Sequence, residues 1–420
     1  MYNKTVLDNG VKIISEKIPN LRSISLGIWV NAGSRDESEE ENGISHFIEH
    51  MIFRGTDHRS GLDIAKELDA IGGLSNAFTG KENTCFYARV LDENLVKLSD
   101  ILSDIFLRSK FDFTDVERER QVVLQEIAMV EDNPEDNIHV MLNRNFWHNH
   151  PIGMPILGTE ENVSRLGRAN IEKYIKKFYV PEKILIVAAG NVEHKELVCC
   201  FEPLFGIIEK SETEYKRTAP ETRGRFSVHF KELEQAHICL GGKAPSLRNS
   251  KRFACAVINT ILGGNMSSRL FQEIREKNGL AYSVYSFLSS YLDSGLFGIY
   301  VGSDPSNVNP VLAIIQREIE KICRGDLTKQ DLADAKENIV GGIYLGSESA
   351  DSRMMRNAKN EFVFQRYVDY GELVSEIKKV TINDVVEVAL EVFKSESITF
   401  VALGSLQEED VDKSNLEYYL

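Results

Sequence analysis

The helical pattern DVERERQVVLQEI, which begins at Asp115, returns without gaps as DLADAKENIVGGI from Asp331. In that frame Val116 meets Leu332 and Val123 meets Ile339, so the apolar spacing of one helix is kept in the other. The order of elements around the two copies also recurs. Strand-like runs come first in each half (Lys4 to Ser15, broken by Asn9-Gly10, and Ser23 to Asn31; then Phe226 to Phe230 and His237 to Gly241). A helical pattern follows, then a second helix (Gly61 to Ile71; Ser268 to Lys277) and a pair of strands (within Leu74 to Val90; Ala281 to Ser289 with Gly295 to Val301), then long helices. A chain that repeats one order of strands and helices folds as two copies of one unit.

These patterns predict an α+β protein of two similar domains from an internal duplication, each a mostly antiparallel sheet flanked by helices. The first domain spans residues 1–205 and the second 226–420. Residues 206–225 between them are polar, contain Pro220 and lack apolar periodicity, which marks a linker. At 420 residues the chain is long enough for two cores without staples.

Composition narrows the function. A formal net charge of −15 with no basic cluster argues against nucleic acid as a partner. The six cysteines show no Cys-x-x-Cys pair or disulfide rhythm and read as reduced thiols. The N-terminal stretch MYNKTVLDNGVKIISEK has no secretory pattern, and no apolar run approaches the roughly 18 residues that span a bilayer. A cytoplasmic protein without a membrane anchor is the expectation.

The duplicated helices differ at two places that carry chemistry. Glu119 is replaced by Ala335 and Glu126 by Gly342. In the first copy Val116, Glu119, Val123, Glu126 and Val130 form one helical stripe that is apolar except for these glutamates. Carboxylates on a core-facing stripe are costly unless paired or metal-bound. Upstream, ISHFIEHMIF has Ile44, Phe47, Ile48, Met51 and Ile52 at helical intervals, which puts His46 and His50 four apart on one helix face with Glu49 beside them. Two imidazoles on one face can share a metal ion, and a catalytic zinc needs a third protein ligand and an open position. Glu126 supplies that third ligand in this reading, and Glu119 is a carboxylate that orients a ligating histidine. The second copy retains the helix and lacks the donors.

The segments GISHFIEHMIFRGT, GGLSNAFTGKENTCFYARV and ERERQVVLQEIAMVEDNPED closely resemble the pitrilysin or insulinase family of metallopeptidases. The resemblance covers essentially the whole chain and is greatest to the two-domain bacterial branch related to the mitochondrial processing peptidase subunits. It implies one zinc ion per chain on His46, His50 and Glu126, with Glu49 as the base and Glu119 as the family's auxiliary acid. It implies an edge strand at Ser75 to Thr79, where Asn76, Ala77 and Phe78 meet an extended peptide by backbone pairing. It further implies that Arg275 and Tyr282, seven apart across Asn278-Gly279, approach the substrate carbonyl from an opposing chamber wall. Nothing in the sequence departs from the family pattern. Because double-length members enclose peptides with four such domains, the resemblance implies a homodimer, or a heterodimer with a related subunit, acting on peptides or unfolded polypeptide.

Two other readings compete with a zinc endopeptidase. A peptide-binding or assembly subunit without catalysis has no need of an intact His46, Glu49, His50 and Glu126. A zinc hydrolase of small molecules requires a compact pocket, whereas an edge strand predicts a long groove.

Overall fold

Strand β1 (Tyr2–Val6) turns at Asn9-Gly10 into β2 (Lys12–Lys17), and the two pair antiparallel with Val6 opposite Lys12. Gly10 takes the turn at φ 105°, a region that favours glycine. With β3 (Ser23–Val30), β4 (Leu74–Thr79), β5 (Thr84–Leu91) and β6 (Ile184–Gly190) they form a six-stranded sheet in the order β1-β2-β6-β3-β5-β4. A second sheet, β7 (Phe226–Phe230), β8 (Ala236–Lys243), β9 (Ala281–Ser290), β10 (Gly295–Ser303) and β11 (Thr399–Gly404), runs β7-β11-β8-β10-β9. The computed structural model describes residues 1–210 and 215–416.

Apart from β1, the two sheets have the same topology. In each, one parallel pair (β2 with β6, β7 with β11) is followed by three antiparallel pairs in matching order. The α+β duplication predicted from the sequence is therefore present in five matching strands of each sheet.

The central strands are apolar on both faces, as strands covered on both sides must be. Ile184, Ile186 and Ala188 of β6 enter one core, while Leu185, Val187 and Ala189 enter another on the opposite face. In the second sheet Phe400 and Ala402 of β11 face one way and Val401 and Leu403 the other.

The covering of those second faces departs from the sequence expectation. Helix Ala350–Phe364, late in the chain, brings Met354 and Ala358 onto the first sheet beside Trp29 and Val187. There Arg353 donates to Glu16 at 2.6 Å and Asn357 to the same carboxylate at 2.7 Å, while buried Glu361 accepts from Lys4 at 2.7 Å. Helix Pro134–Phe146, early in the chain, packs Ile138, Leu142 and Phe146 on the second sheet against Cys239, Leu296 and Val401. One compact unit is accordingly 1–129, 154–217 and 345–367, and the other 130–153, 218–344 and 368–420. The contiguous division into 1–205 and 226–420 is corrected by these two exchanged segments. The physical reason is that each sheet has two apolar faces and the helices of its own half cover only one. Of the expected linker, residues 211–214 lie outside the described residues, and the described remainder of 206–225 holds no helix or strand. Among the described residues, no helix is long and apolar enough to cross a membrane.

Candidate metal centre

The helix Ile44–Met51 buries Ile44, Phe47, Ile48 and Met51 in the core of the first unit and leaves His46, Glu49 and His50 on the remaining arc. Its start is built from residues with no apolar signal. Gly43 takes the left-handed region at φ 99°, and a Cβ there would lie 2.7 Å from the Leu157 carbonyl oxygen. Gly43 has no side chain to cap the helix, so Glu37 does it from outside. The Glu37 carboxylate accepts the backbone N–H of Gly43 at 2.8 Å and of Ser45 at 2.8 Å, and the Asn42 amide at 2.9 Å.

The polar run Ser34 to Asn42 is thus not simply a solvated loop; Ser34, Arg35, Asp36 and Glu37 are buried. Arg35 pairs with Glu82 at 2.5 Å, and Arg217 grips Asp36 at 2.7 Å. Burial raises the Glu37 carboxyl to about 7, against the lowering effect of the hydrogen bonds from Gly43, Ser45 and Asn42.

The long helix Phe113–Asp132 delivers the two glutamates. Val116, Glu119 and Val123 are buried, and Glu126 further along the stripe is partly exposed. One Glu126 oxygen, Oε2, stands 3.6 Å from His46 Nε2 and 3.5 Å from His50 Nε2. Glu119 Oε2 lies 3.2 Å from His50 Nδ1, and its other oxygen forms an ion pair with Arg54, 2.8 Å from Nε. Thr79 of β4 donates its hydroxyl to Glu49 Oε2 at 2.6 Å.

The donor set fits a zinc ion. One ligand atom from each of His46, His50 and Glu126 lies within 4.8 Å of the others, and this is the one such group of three His, Cys, Asp or Glu side chains among the described residues. The approaches of the two Nε2 atoms to the shared carboxylate oxygen are too long for hydrogen bonds, which is the spacing a cation between them fills. Burial, reinforced by the neighbouring His50, pushes the His46 imidazole down to about 3, so its lone pair is available throughout the neutral range. Burial also raises the Glu49 carboxyl, opposed by the Thr79 and His50 contacts and assisted by the charge of Glu126.

The expected substrate strand β4 is at the edge of its sheet. Leu74, Ser75 and Asn76 are exposed, and Asn76 Oδ1 accepts the N–H of Ala77 at 2.8 Å. Phe78 packs edge-on against Trp29, its ring 5.4 Å away, so its side chain serves the sheet and only its backbone is available for pairing. In the second unit Arg275 lies in a π-helical stretch, Phe271–Lys277, where a regular helix was expected. Such wide turns are frequent at functional sites. Its guanidinium sits 4.6 Å from the ring centre of exposed Tyr282 and donates to the Tyr282 carbonyl at 3.0 Å. The helix aligned to the glutamate helix, Lys329–Gly346, buries Ala335 where the first copy has Glu119.

Sequence reasoning missed Glu37, Arg54 and Thr79. Arg54 follows His50 by four residues, and Thr79 shares a strand face with Ala77, so spacing carried a signal for both. Glu37 had none, because two of its partners are backbone N–H groups and the third, Asn42, gives no spacing signal.

A duplicated α+β unit whose first copy alone carries a His-x-x-Glu-His helix defines a two-domain protein related to the inverted-motif metallopeptidases. Residues 12–160 match the family model Insulinase (Peptidase family M16), and residues 165–339 match Peptidase M16 inactive domain. An uncharacterized zinc protease of Bacillus subtilis, YmxG, is 40% identical over 94% of this chain and 96% of its own. An uncharacterized zinc protease of Streptomyces coelicolor is 39% identical over 93% of this chain and 86% of its own. The crystal structure of a protease from Helicobacter pylori has the same fold, with a TM-score of 0.89 at 22% identity over 96% of this chain and 99% of that one. The chain belongs to peptidase family M16.

Proposed function

We propose that the protein is a zinc-dependent endopeptidase that hydrolyses peptides or unfolded polypeptide segments, with Glu49 as its base. The observation that carries this reading is the convergence of His46, His50 and Glu126 donor atoms within 4.8 Å, with the Glu49 carboxylate near enough to feel the charges of His50 and Glu126. The naming of full-length relatives as zinc proteases supports it.

In this reading His46, His50 and Glu126 hold one zinc ion. When bound, zinc acts as a Lewis acid that lowers the pKa of water from 15.7 to about 7 and polarises a carbonyl. Glu49 removes the proton of the attacking water as its oxygen bonds to the peptide carbonyl carbon. The same carboxyl then delivers that proton to the departing amine nitrogen as the C–N bond breaks. A base with a raised pKa suits both halves of this exchange near neutral pH. Glu119 keeps His50 turned with Nε2 towards the site. The exposed edge of β4 at Asn76 and Ala77 suits an extended peptide, read by backbone pairing more than by sequence. Arg275 and Tyr282 are assigned to the substrate carbonyl, with the guanidinium or phenol as an oxyanion donor. Following the family, two chains enclose the substrate, as a homodimer or with a related subunit.

The test is incubation of purified wild type and Glu49→Gln with an unstructured peptide library, reading fragments by mass spectrometry, bound metal by elemental analysis and chain association by sedimentation. Cleavage by wild type alone, with zinc in both proteins, is expected. Zinc in both proteins with cleavage by neither would overturn the self-sufficient peptidase in favour of a binding subunit or one that requires another chain.

A further inference from the structure

Among the described residues Glu49 makes one side-chain hydrogen bond, and its donor comes from the strand assigned to receive substrate. Thr79 is the last residue of β4, and alternation along the strand turns Ala77 and Thr79 towards the motif helix while Phe78 turns to Trp29 on the other face. A hydroxyl has one proton to give. The Thr79 hydroxyl has two acceptors in reach, Glu49 Oε2 at 2.6 Å and the Ser45 carbonyl at 3.4 Å. The nearer acceptor is also the one able to carry charge, so the proton points at Glu49.

A glutamate side chain has three rotatable bonds, and a base must meet its proton at hydrogen-bond distance to be effective. Glu49 sits one residue before a proposed metal ligand, and its helix fixes only its backbone. We infer that Thr79 is a positioning residue for the base: its hydroxyl sets the plane and reach of the Glu49 carboxylate, so that one strand both pairs with the substrate backbone and aims the group that activates water. This rests on the peptidase reading of the site. The consequence is a division of effects. Removing the hydroxyl leaves the edge of β4 and the zinc ligands untouched, so it acts on kcat and spares KM and metal content.

The experiment compares full-length wild type, Thr79→Val, which keeps the shape and loses the donor, and Thr79→Ser, which keeps the donor. Crystal structures of all three report the Glu49 carboxylate directly. Steady-state kinetics on a peptide that the wild type cleaves report the split, with bound zinc quantified alongside. Expected for Thr79→Val are a displaced or doubly occupied Glu49 carboxylate, a kcat lower by roughly 10-fold or more, and KM and zinc within about twofold of wild type. Thr79→Ser should restore both carboxylate position and kcat. An unmoved Glu49 in Thr79→Val overturns the proposal, as does a rise in KM or a loss of zinc that accounts for the whole defect. Should the wild type cleave no peptide, the peptidase reading fails while the three crystal structures still decide whether Thr79 positions Glu49.

Discussion

The Glu119 carboxylate faces His50 Nδ1 at 3.2 Å with one oxygen and pairs with the Arg54 guanidinium, 2.8 Å from Nε, with the other. A neutral imidazole that donates from Nδ1 presents its lone pair at Nε2, the nitrogen that stands 3.5 Å from Glu126. Glu119→Ala should therefore weaken zinc binding about 10- to 100-fold, measured by competition with a chelating dye. Arg54→Ala should act in the same direction and less, because Arg54 is half exposed and reaches the ligand only through Glu119.

Glu49 is the one polar residue of the motif helix arc with no proposed hold on the metal. Glu49→Gln keeps the volume and an acceptor for Thr79 but cannot take a proton. It should retain zinc and lose roughly 10²- to 10⁴-fold in kcat, whereas His50→Ala should lose zinc and turnover together. A Glu49→Gln protein with wild-type kcat would remove the base from the mechanism.

Gly43 starts the motif helix at φ 99°, and its missing Cβ would stand 2.7 Å from the Leu157 carbonyl oxygen and 2.8 Å from Gly158 Cα. Both neighbours are backbone and cannot swing aside. Gly43→Ala should cost more than about 1 kcal/mol through the left-handed backbone alone, lowering the thermal midpoint and also weakening zinc binding. An unchanged midpoint would show that neither the left-handed backbone at Gly43 nor the Leu157 and Gly158 backbone penalises the added methyl.

Glu37 gives a pH dependence whose sign follows from its shift. Its folded carboxyl lies at about 7, above the ordinary 4.5, so between these values the folded chain holds a proton that the unfolded chain has released. The resulting stability is present at and below the ordinary value and is lost as pH rises through about 7. It amounts to something on the order of 3 kcal/mol. Glu37→Gln cannot titrate, so denaturation midpoints measured from pH 5 to 8 should fall less steeply in the variant than in wild type. Equal slopes would mean that Glu37 is ionised throughout.

Much of the site was legible because its residues are local in sequence. A spacing of four puts His46 and His50 on one helix face wherever that helix goes, and the two glutamates of the Val116 to Val130 stripe announced themselves as polar residues where apolar ones belong. Glu37 was hidden because a buried carboxylate satisfied by backbone N–H groups leaves no pattern in the chain. Phe78 was legible as part of the edge strand, yet which side chain that strand spends on packing depended on Trp29, 49 residues earlier and adjacent only in the sheet.

The sequence by itself determined the duplicated order of elements, the helices that carry His46, Glu49, His50, Glu119 and Glu126, and the loss of the acidic pair to Ala335 and Gly342 in the second copy. These follow from periodicity and residue chemistry, which act over a few turns of chain. Only the tertiary structure decided the exchange of helices Pro134–Phe146 and Ala350–Phe364, the burial of the Arg35 to Glu37 run, and the meeting of Glu49 with Thr79. The exchange is a choice among apolar faces that look alike along the chain; it is made by which sheet face remains uncovered, and that exists only once the sheets have formed.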